Sequence, residues 1–512
     1  MLSIKKVLCL ILSLVFLSTA LCACGGGGQP AETKKPGDDT GTKSDDTTAR
    51  SDETTFPRVE DSLPADLNFN GEKVTILTYK LDKTKNTLVD IYTDELNSDP
   101  INDSVFNRVK YVEDRLNVEI SFPEPKGAFL EEMLKQETTG DETYSIYSGV
   151  SHQMSDYIFD AFYYDLTYLD YLDFDAPWWN DSFTEESSFR DKVFMLTGSL
   201  SLTLLRGIQA VYFNKSIAEN YSGKVPELNE LYDIVNRGEW TIDKLFELSE
   251  IVYEDLNGNQ IYDAEDAYGL CLSTNAAAMP FGAFNISVFE KDEDDWSVFN
   301  VNTDKLFDAY QKIFDLFYEN RGSANANIDL GDNDLDKTME SIFVNCNGLF
   351  LIDGLQCVEK PEFRNMKDDY GILPEPKYNL QQKDYYAYSA EFSSFSISAT
   401  NSRPETAAAV LEAMASYSYN ETVPIYLDLA LKGRYMSDPQ SRKMIDLTIH
   451  DVIIDTAWIY VEEFTSWYAP GFKGLILNRE NSFASEHAGN IAAIKRGLFG
   501  YDQKYKKMFG DD

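Results

Sequence analysis

The sequence predicts an α/β protein organised as two lobes. Short apolar runs of strand length alternate with longer segments of helical period, the pattern of sheets covered by helices. The stretch from about residue 66 to residue 512 also exceeds the roughly 250 to 300 residues at which a single core stops growing. No second apolar run is long enough for a membrane span, and no repeat of 20 to 50 residues is visible.

The chain begins with Lys5 and Lys6, then the apolar segment Val7 to Ala20, then Leu21-Cys22-Ala23-Cys24. An apolar run of about 15 residues is shorter than the roughly 20 that cross a bilayer, so a cleaved secretory signal over residues 1–23 is expected. Its last four residues resemble a bacterial lipobox, which implies acyl chains, palmitate among them, on Cys24. A plain signal with an incidental cysteine is the alternative. Residues 24–65 carry Gly25 to Gly28, Lys34, Lys35, Asp38, Asp39, Asp45 and Asp46 with no aromatic before Phe56. Such a composition cannot bury enough apolar surface to order itself, and about 40 flexible residues span on the order of 35 Å. The reading is a lipid-anchored disordered linker on the extracytoplasmic face of a bacterial cell membrane.

Beyond the linker, Gly71 to Leu77 reads as a first strand. Val105, Val109, Val112 and Leu116 recur at helical spacing, and Asn117 to Ile120 returns to a strand. Trp240-Thr241 opens a helix that Thr241 caps, with Leu245, Leu248 and Ile251 on one apolar face and Trp240 structural. Asn401 or Ser402 is expected to cap an amphipathic Ala-rich helix over Thr406 to Met414, with Pro404 in its first turn.

The formal net charge of −41 excludes nucleic acid as a partner, because binding its phosphates takes clustered Lys and Arg. Once Cys9 and Cys22 leave with the signal and Cys24 is acylated, only Cys271, Cys346 and Cys357 remain, which is no disulfide framework.

Four segments resemble extracellular solute-binding proteins of family 1, the sugar-binding lipoproteins of ABC importers. Ala210-Val211-Tyr212-Phe213-Asn214-Lys215 is similar to the strand and turn after the family's first crossing between lobes. Gly238 to Leu245 is similar to its W-T-x-[DE]-x-[FL] helix start. Asp368 to Pro376 resembles the segment before the second crossing, and Ser396 to Leu411 the strand and helix after it. The likeness covers nearly all of residues 70 to 500. It implies a two-lobed periplasmic-binding-protein-like fold of type II, with a hinge and an interlobe cleft. One lobe would hold residues 66–200 and 398–445, the other 205–390 and 446–512. It implies binding without catalysis: a monomer that captures a carbohydrate, an oligosaccharide by this reading, and delivers it to the membrane subunits of an ABC permease. No cofactor is required.

Sugar sites combine flat aromatic faces with polar groups in the ring plane. Aromatics are 13% of the chain, so most belong to the core and position must select among them. Tyr79 follows the first strand. Ser151, His152 and Gln153 follow Tyr147 to Val150 in what reads as a strand-end loop, positioned like a ligand loop of the family, although His152 reads equally as a capping or surface residue. Asp353 and Gln356 follow the buried run Leu349 to Ile352 in the same way, with a simple turn as the alternative for Asp353. By the family's layout Thr274, Asn275 and Phe281 lie in another loop near the cleft. Phe464 to Tyr468 resembles the family's C-terminal stacking segment, which makes Trp467 and Tyr468 candidates. Trp178 is a second platform or a packing element at the lobe edge.

One motif stands apart. Asp255, Asn257, Asn259, the Ile261 carbonyl, Asp263 and Asp266 fall at positions 1, 3, 5, 7, 9 and 12 of a calcium loop. Gln260 replaces the usual turn glycine and Asp266 the usual glutamate. A preceding helix fits and an extended segment follows, so a structural calcium ion and a plain Asn-Gly turn are both open.

Two further classes remain, a secreted glycoside hydrolase and a lipoprotein that binds or senses carbohydrate without transport. Hydrolysis needs two carboxyls at a set separation, and among 86 acidic residues no pair is marked. There is no Gly-x-Ser-x-Gly elbow, no His-Glu-x-x-His helix and no phosphate-cradling glycine loop.

Overall fold

The computed structural model describes residues 58–79, 90–293, 295–328, 334–389, 391–431, 439–460 and 471–510. The expected signal, Cys24 and residues 24–57 of the linker lie outside the described residues. Strands are β1 (Glu72–Leu77), β2 (Val118–Ser121), β3 (Ile146–Val150), β4 (Gln209–Asn214), β5 (Tyr253–Glu254), β6 (Ala267–Leu272), β7 (Phe289–Lys291), β8 (Ser297–Phe299), β9 (Gly348–Gly354), β10 (Tyr370–Leu373) and β11 (Ser393–Ile397).

They form two main sheets and a β7-β8 hairpin. The first has the order β11-β3-β1-β2, with β1 parallel to β2 and β3, and β11 antiparallel to β3. The second has the order β10-β4-β9-β6-β5, in which β6 and β9 are parallel and β4 runs against β9 and β10. Edge strand β2 alternates buried and exposed, whereas β4, β6 and β9 are buried at every residue. That burial explains their unbroken apolar sequence.

The helix Pro100–Leu116 forms where the spacing predicts. Asp99 accepts from the Ile101 and Asn102 amides at 3.0 Å, Pro100 occupies the first turn, and Asn117 ends the helix in the left-handed region at φ 49°. Val105, Val109, Val112 and Leu116 are its buried stripe. Thr241 caps Ile242–Ser249 through the Lys244 amide, and Trp240 is buried with its Nε1 donating to the Pro374 carbonyl at 2.9 Å.

The Ala-rich helix differs from expectation in three ways. It spans Pro404–Tyr417, its cap position is Arg403 with no side-chain bond, and Thr406 through Ser416 are all buried. It is therefore enclosed rather than amphipathic, which suits side chains small enough for close packing against neighbours. Asn401 instead accepts from the Arg403 amide, and Ser402 donates to Glu142. A π turn, Ser418–Thr422, carries the chain on into the helix Val423–Leu431.

Residues 198–208 and 374–392 link the sheets and lie side by side. The Gln209 amide donates to the Tyr388 carbonyl and the Leu355 amide to the Ile208 carbonyl, each at 2.8 Å, while Ser389 Oγ donates to the Leu204 carbonyl. The third link runs through 418–431, after which Pro439–Ile449 packs on β10. The terminal helix Phe483–Phe509 places Tyr501 and Tyr505 against Phe159, with Tyr501 also on Phe189 and Tyr505 on Trp296. One core surrounds the first sheet, with Val74, Ile76, Ile146, Phe395 and Met414. A larger core surrounds the second sheet and continues into Phe129, Tyr147 and Met154 of the first. Among the described residues no helix is long and apolar enough to cross a membrane.

Glu375 sits inside the second link, 1% exposed, with Oε2 accepting from the Tyr388 amide at 3.0 Å and Oε1 without a partner. Burial pushes its carboxyl up to about 8, with the Tyr388 N–H opposing. An unfolded glutamic acid releases its proton near 4.5. Folding therefore takes up a proton between those values, and stability falls as pH rises through that window. Glu375→Gln should flatten the decline between pH 5 and pH 8.5 and make the protein more stable at the upper end, by on the order of a few kcal/mol. Denaturant melts of both proteins at the two pH values check this.

Candidate functional site

In open α/β sheets, ligand groups gather at the carboxyl ends of parallel strands. Here four such ends carry the candidate residues: β1 runs into Tyr79, β3 into Ser151, β6 into Thr274 and β9 into Gly354.

On the first sheet, Tyr79 is 37% exposed and stacks on Phe129 with centroids 4.9 Å apart. Its hydroxyl donates to Gln153 Oε1 at 2.8 Å and accepts from the Val150 amide at 3.3 Å. Burial, with the Glu391 charge adding, holds that phenol above its ordinary value, against the Val150 bond. The segment after β3 is not the expected loop but a short helix, Ser151–Ser155, anchored by the Ser151 amide on the Phe392 carbonyl at 3.0 Å. Ser151 is buried and its hydroxyl has no partner, while His152 and Gln153 are half-buried. Gln153 thus joins Tyr79 in one polar patch, and Ser151 lies beneath it.

On the second sheet, Thr274–Phe281 is a 3-10 helix rather than the expected loop. Asp336 holds its start, accepting from the Thr274 amide at 2.6 Å and from its hydroxyl at 3.0 Å. Lys473 Nζ donates to Asn275 Oδ1 at 2.7 Å. Burial lowers the Lys473 ammonium below its usual range, opposed by Asp336 and Glu391. Glu391, in the link between the sheets, is exposed and acts on both Tyr79 and Lys473, which brings the two patches into one neighbourhood.

Trp458 supplies an aromatic face beside them. It lies in the short helix Thr456–Ile459, packed on Tyr388 at 5.1 Å and Phe281 at 5.9 Å, half-buried, with its Nε1 unpartnered. The same helix meets the Ser151–Ser155 turn, where Ser155 Oγ donates to the Ile459 carbonyl at 2.5 Å.

Sequence reasoning missed Trp458, Lys473, Asp336, Glu391 and Tyr388. The only signal for Trp458 is its place in the C-terminal aromatic region, where the resemblance favours Trp467 and Tyr468; those two lie outside the described residues. Trp178 is 2% exposed, within the first core and edge-on to Tyr419, and offers no face to a ligand; the packing alternative fits it.

Asp353 is the last residue but one of β9 rather than a loop residue. It is buried, bonded through Oδ1 to the Gly354 amide at 2.6 Å, with Oδ2 unpartnered. Burial pushes its carboxyl well above the ordinary carboxylate range. Gln356, in the 3-10 turn Leu355–Glu359, is half-buried beside it. Glu340, Asp353 and Cys357 place donor atoms within 4.8 Å of one another, but the Lys360 ammonium already pairs with Glu340, so the position of a cation is taken by the protein. Cys271, Cys346 and Cys357 are free thiols.

No family model matches the sequence, and no curated protein matches it. Among solved structures, a cyclo/maltodextrin-binding protein complexed with maltotetraose is similar at TM-score 0.50 and 12% identity, covering 85% of this chain and 97% of that one. The GacH receptor of Streptomyces glaucescens, solved with acarbose, follows at TM-score 0.49 and 13% identity over 86% and 99%. An ABC substrate-binding protein from Listeria monocytogenes in complex with cycloalternan gives 0.47 and 13% over 86% and 99%. The first likeness defines the class of fold: a two-lobed periplasmic-binding-protein fold of type II, as the sequence implied.

Removing Asp336 would leave the Thr274 amide and hydroxyl unpaired. Asp336→Ala should destabilise the protein by about 1 to 3 kcal/mol and Asp336→Asn by less, measured by denaturant unfolding.

Proposed function

We propose that this protein binds a carbohydrate between its two sheets and serves as the substrate-binding lipoprotein of an ABC importer. The observation that carries the reading is the gathering, around the ends of β1, β3 and β6, of aromatic faces, Tyr79 and Trp458, with hydrogen-bonding groups of both signs, Gln153, Asn275, Lys473, Asp336 and Glu391. Aromatic faces suit the C–H surfaces of a sugar ring, and charged or amide groups suit its hydroxyls. The similar cyclo/maltodextrin-binding protein is complexed with maltotetraose, which favours an oligosaccharide. Hinge motion of the links would close the lobes on the ligand and signal the loaded state to membrane subunits. Acylated Cys24 would hold the protein at the extracytoplasmic face, and no catalytic step is invoked.

Calorimetric titration and thermal shift against linear and cyclic oligosaccharides test the reading. A ligand at 100 times its Kd should stabilise the fold by about 2.7 kcal/mol. Trp458→Ala should weaken binding by about tenfold, in line with the roughly 0.5 to 1.5 kcal/mol of an aromatic contact beyond its area. No response to any sugar would overturn the carbohydrate assignment, and recovery of cleaved sugar would replace binding by hydrolysis. Radiolabelled palmitate should enter the full-length chain in a lipoprotein-processing bacterium and fail to enter Cys24→Ser.

A further inference from the structure

The loop from Asp255 to Asp266 lies at the far end of β6 from the proposed site. β5 and β6 close it as an antiparallel pair, Tyr253 opposite Tyr268 and Glu254 opposite Ala267. The expected helix on its N-terminal side ends earlier, at Ser249, so a strand rather than a helix enters the loop. Inside the loop the short polar side chains bond to its backbone and to one another, Asn259 Nδ2 donating to Asp263 Oδ2 at 2.7 Å and Asn257 Nδ2 at 3.2 Å. Asp255 accepts from the Gly258 and Gln260 amides at 2.7 and 2.9 Å, Asn257 from Asn259 at 3.0 Å, Asn259 from Ile261 at 2.7 Å, and Asp263 from Glu265 at 2.8 Å. Gln260 adopts φ +59°, the left-handed turn for which glycine is usual at this position.

An independent feature points to a ligand. Asp266 is fully buried; Oδ2 lies 3.4 Å from both the Tyr253 hydroxyl and the Asp263 amide, and Oδ1 has no hydrogen-bond partner. A buried carboxylate oxygen without a donor is costly. This one sits at position 12, the place of the inner carboxylate ligand in a calcium loop, with its carboxyl against the loop backbone. The plain-turn alternative leaves that oxygen unexplained.

We infer that Asp255, Asn257, Asn259, the Ile261 carbonyl, Asp263 and Asp266 bind a calcium ion that locks the β5-β6 edge of the second sheet. The donors are all oxygen and include three carboxylates, as a hard divalent cation requires. Magnesium is disfavoured, because it holds its waters and is seldom enclosed by protein ligands alone. Asp266 is one methylene shorter than the usual glutamate, and the site belongs with extracellular modules that bind at roughly 10⁻⁴ to 10⁻³ M. β6 separates the loop from Thr274 by six residues, on the order of 20 Å, so the ion acts on stability rather than on the ligand site.

Terbium binding and thermal melts of the chelator-treated full chain test this. Tyr262 lies within the loop, 4.8 Å from the Tyr253 ring, and should sensitise terbium emission that calcium displaces and equimolar magnesium does not. Calcium at 5 to 10 times the Kd expected of such modules should raise the melting temperature of the native protein by about 1 to 2 °C. Asp255→Asn, at a half-buried position, and Asp266→Asn should each lose both responses, while Glu247→Gln, on an exposed residue outside the loop, retains them. Absence of sensitised emission and of any shift in the native protein would overturn the inference. So would an undiminished response in Asp255→Asn, which would assign the effect to the general acidity of the surface.

Discussion

The arrangement depends on the hydrogen bonds that fasten the two links to each other where they pass between the sheets. The Gln209 amide on the Tyr388 carbonyl, the Leu355 amide on the Ile208 carbonyl and Ser389 on the Leu204 carbonyl fix β4, β9 and β11 relative to one another. Asp90 extends the fastening, accepting from the Thr203 amide at 3.0 Å and the Ser393 hydroxyl at 2.6 Å. The carboxyl ends of β3, β6 and β9 reach this seam, through the Ser151 amide on the Phe392 carbonyl, Ser273 Oγ on Gln209 Oε1 and the Leu355 amide on the Ile208 carbonyl, although these residues are distant in sequence. The links are also packed into the cores, Leu200 into that of the first sheet and Leu202, Leu205, Ile208, Tyr385 and Phe392 into that of the second.

Among the buried charged side chains, acids outnumber bases, as they do in the whole sequence. Glu375 beneath Tyr388 and Glu412 beneath Trp179 are raised to about 8 and about 7 by burial, Trp179 Nε1 donating to Glu412 Oε2 at 2.9 Å. Asp455, fully buried, is raised in the same direction while its oxygens accept from the Val288 and Ala457 amides and the Ser287 hydroxyl. Groups of this kind bind protons on folding, so they set a bias toward stability in mildly acid solution. A net charge of −41 adds to it, since self-repulsion also eases as carboxylates protonate.

Much of the fold was legible because its signals are local. Asp99, Pro100 and Asn117 delimit the first long helix by cap chemistry, Thr241 starts another, and the unbroken apolar runs of β4 and β9 announce strands covered on both faces. The Ala-rich helix reads as amphipathic in sequence because small residues carry little periodic contrast, and its full burial is imposed by neighbours. The candidate site was legible only in part. Tyr79, Gln153 and Asn275 follow strands or lie in a segment named by resemblance. Lys473, Asp336 and Glu391 acquire their roles from partners up to about two hundred residues away in sequence, such as Asn275 with Lys473.

By itself the sequence determined the α/β class, the need for more than one core, the caps and the spacing of the oxygen-bearing side chains from Asp255 to Asp266, since each follows from length, period or side-chain type within a few residues. Only the tertiary structure decided that Trp178 is enclosed while Trp458 lies beside the site, that loops expected after β3, β6 and β9 are helical turns, and that Asp266 is buried with a free oxygen. Burial and partnership are properties of what the rest of the chain brings alongside a residue, and no local pattern encodes them.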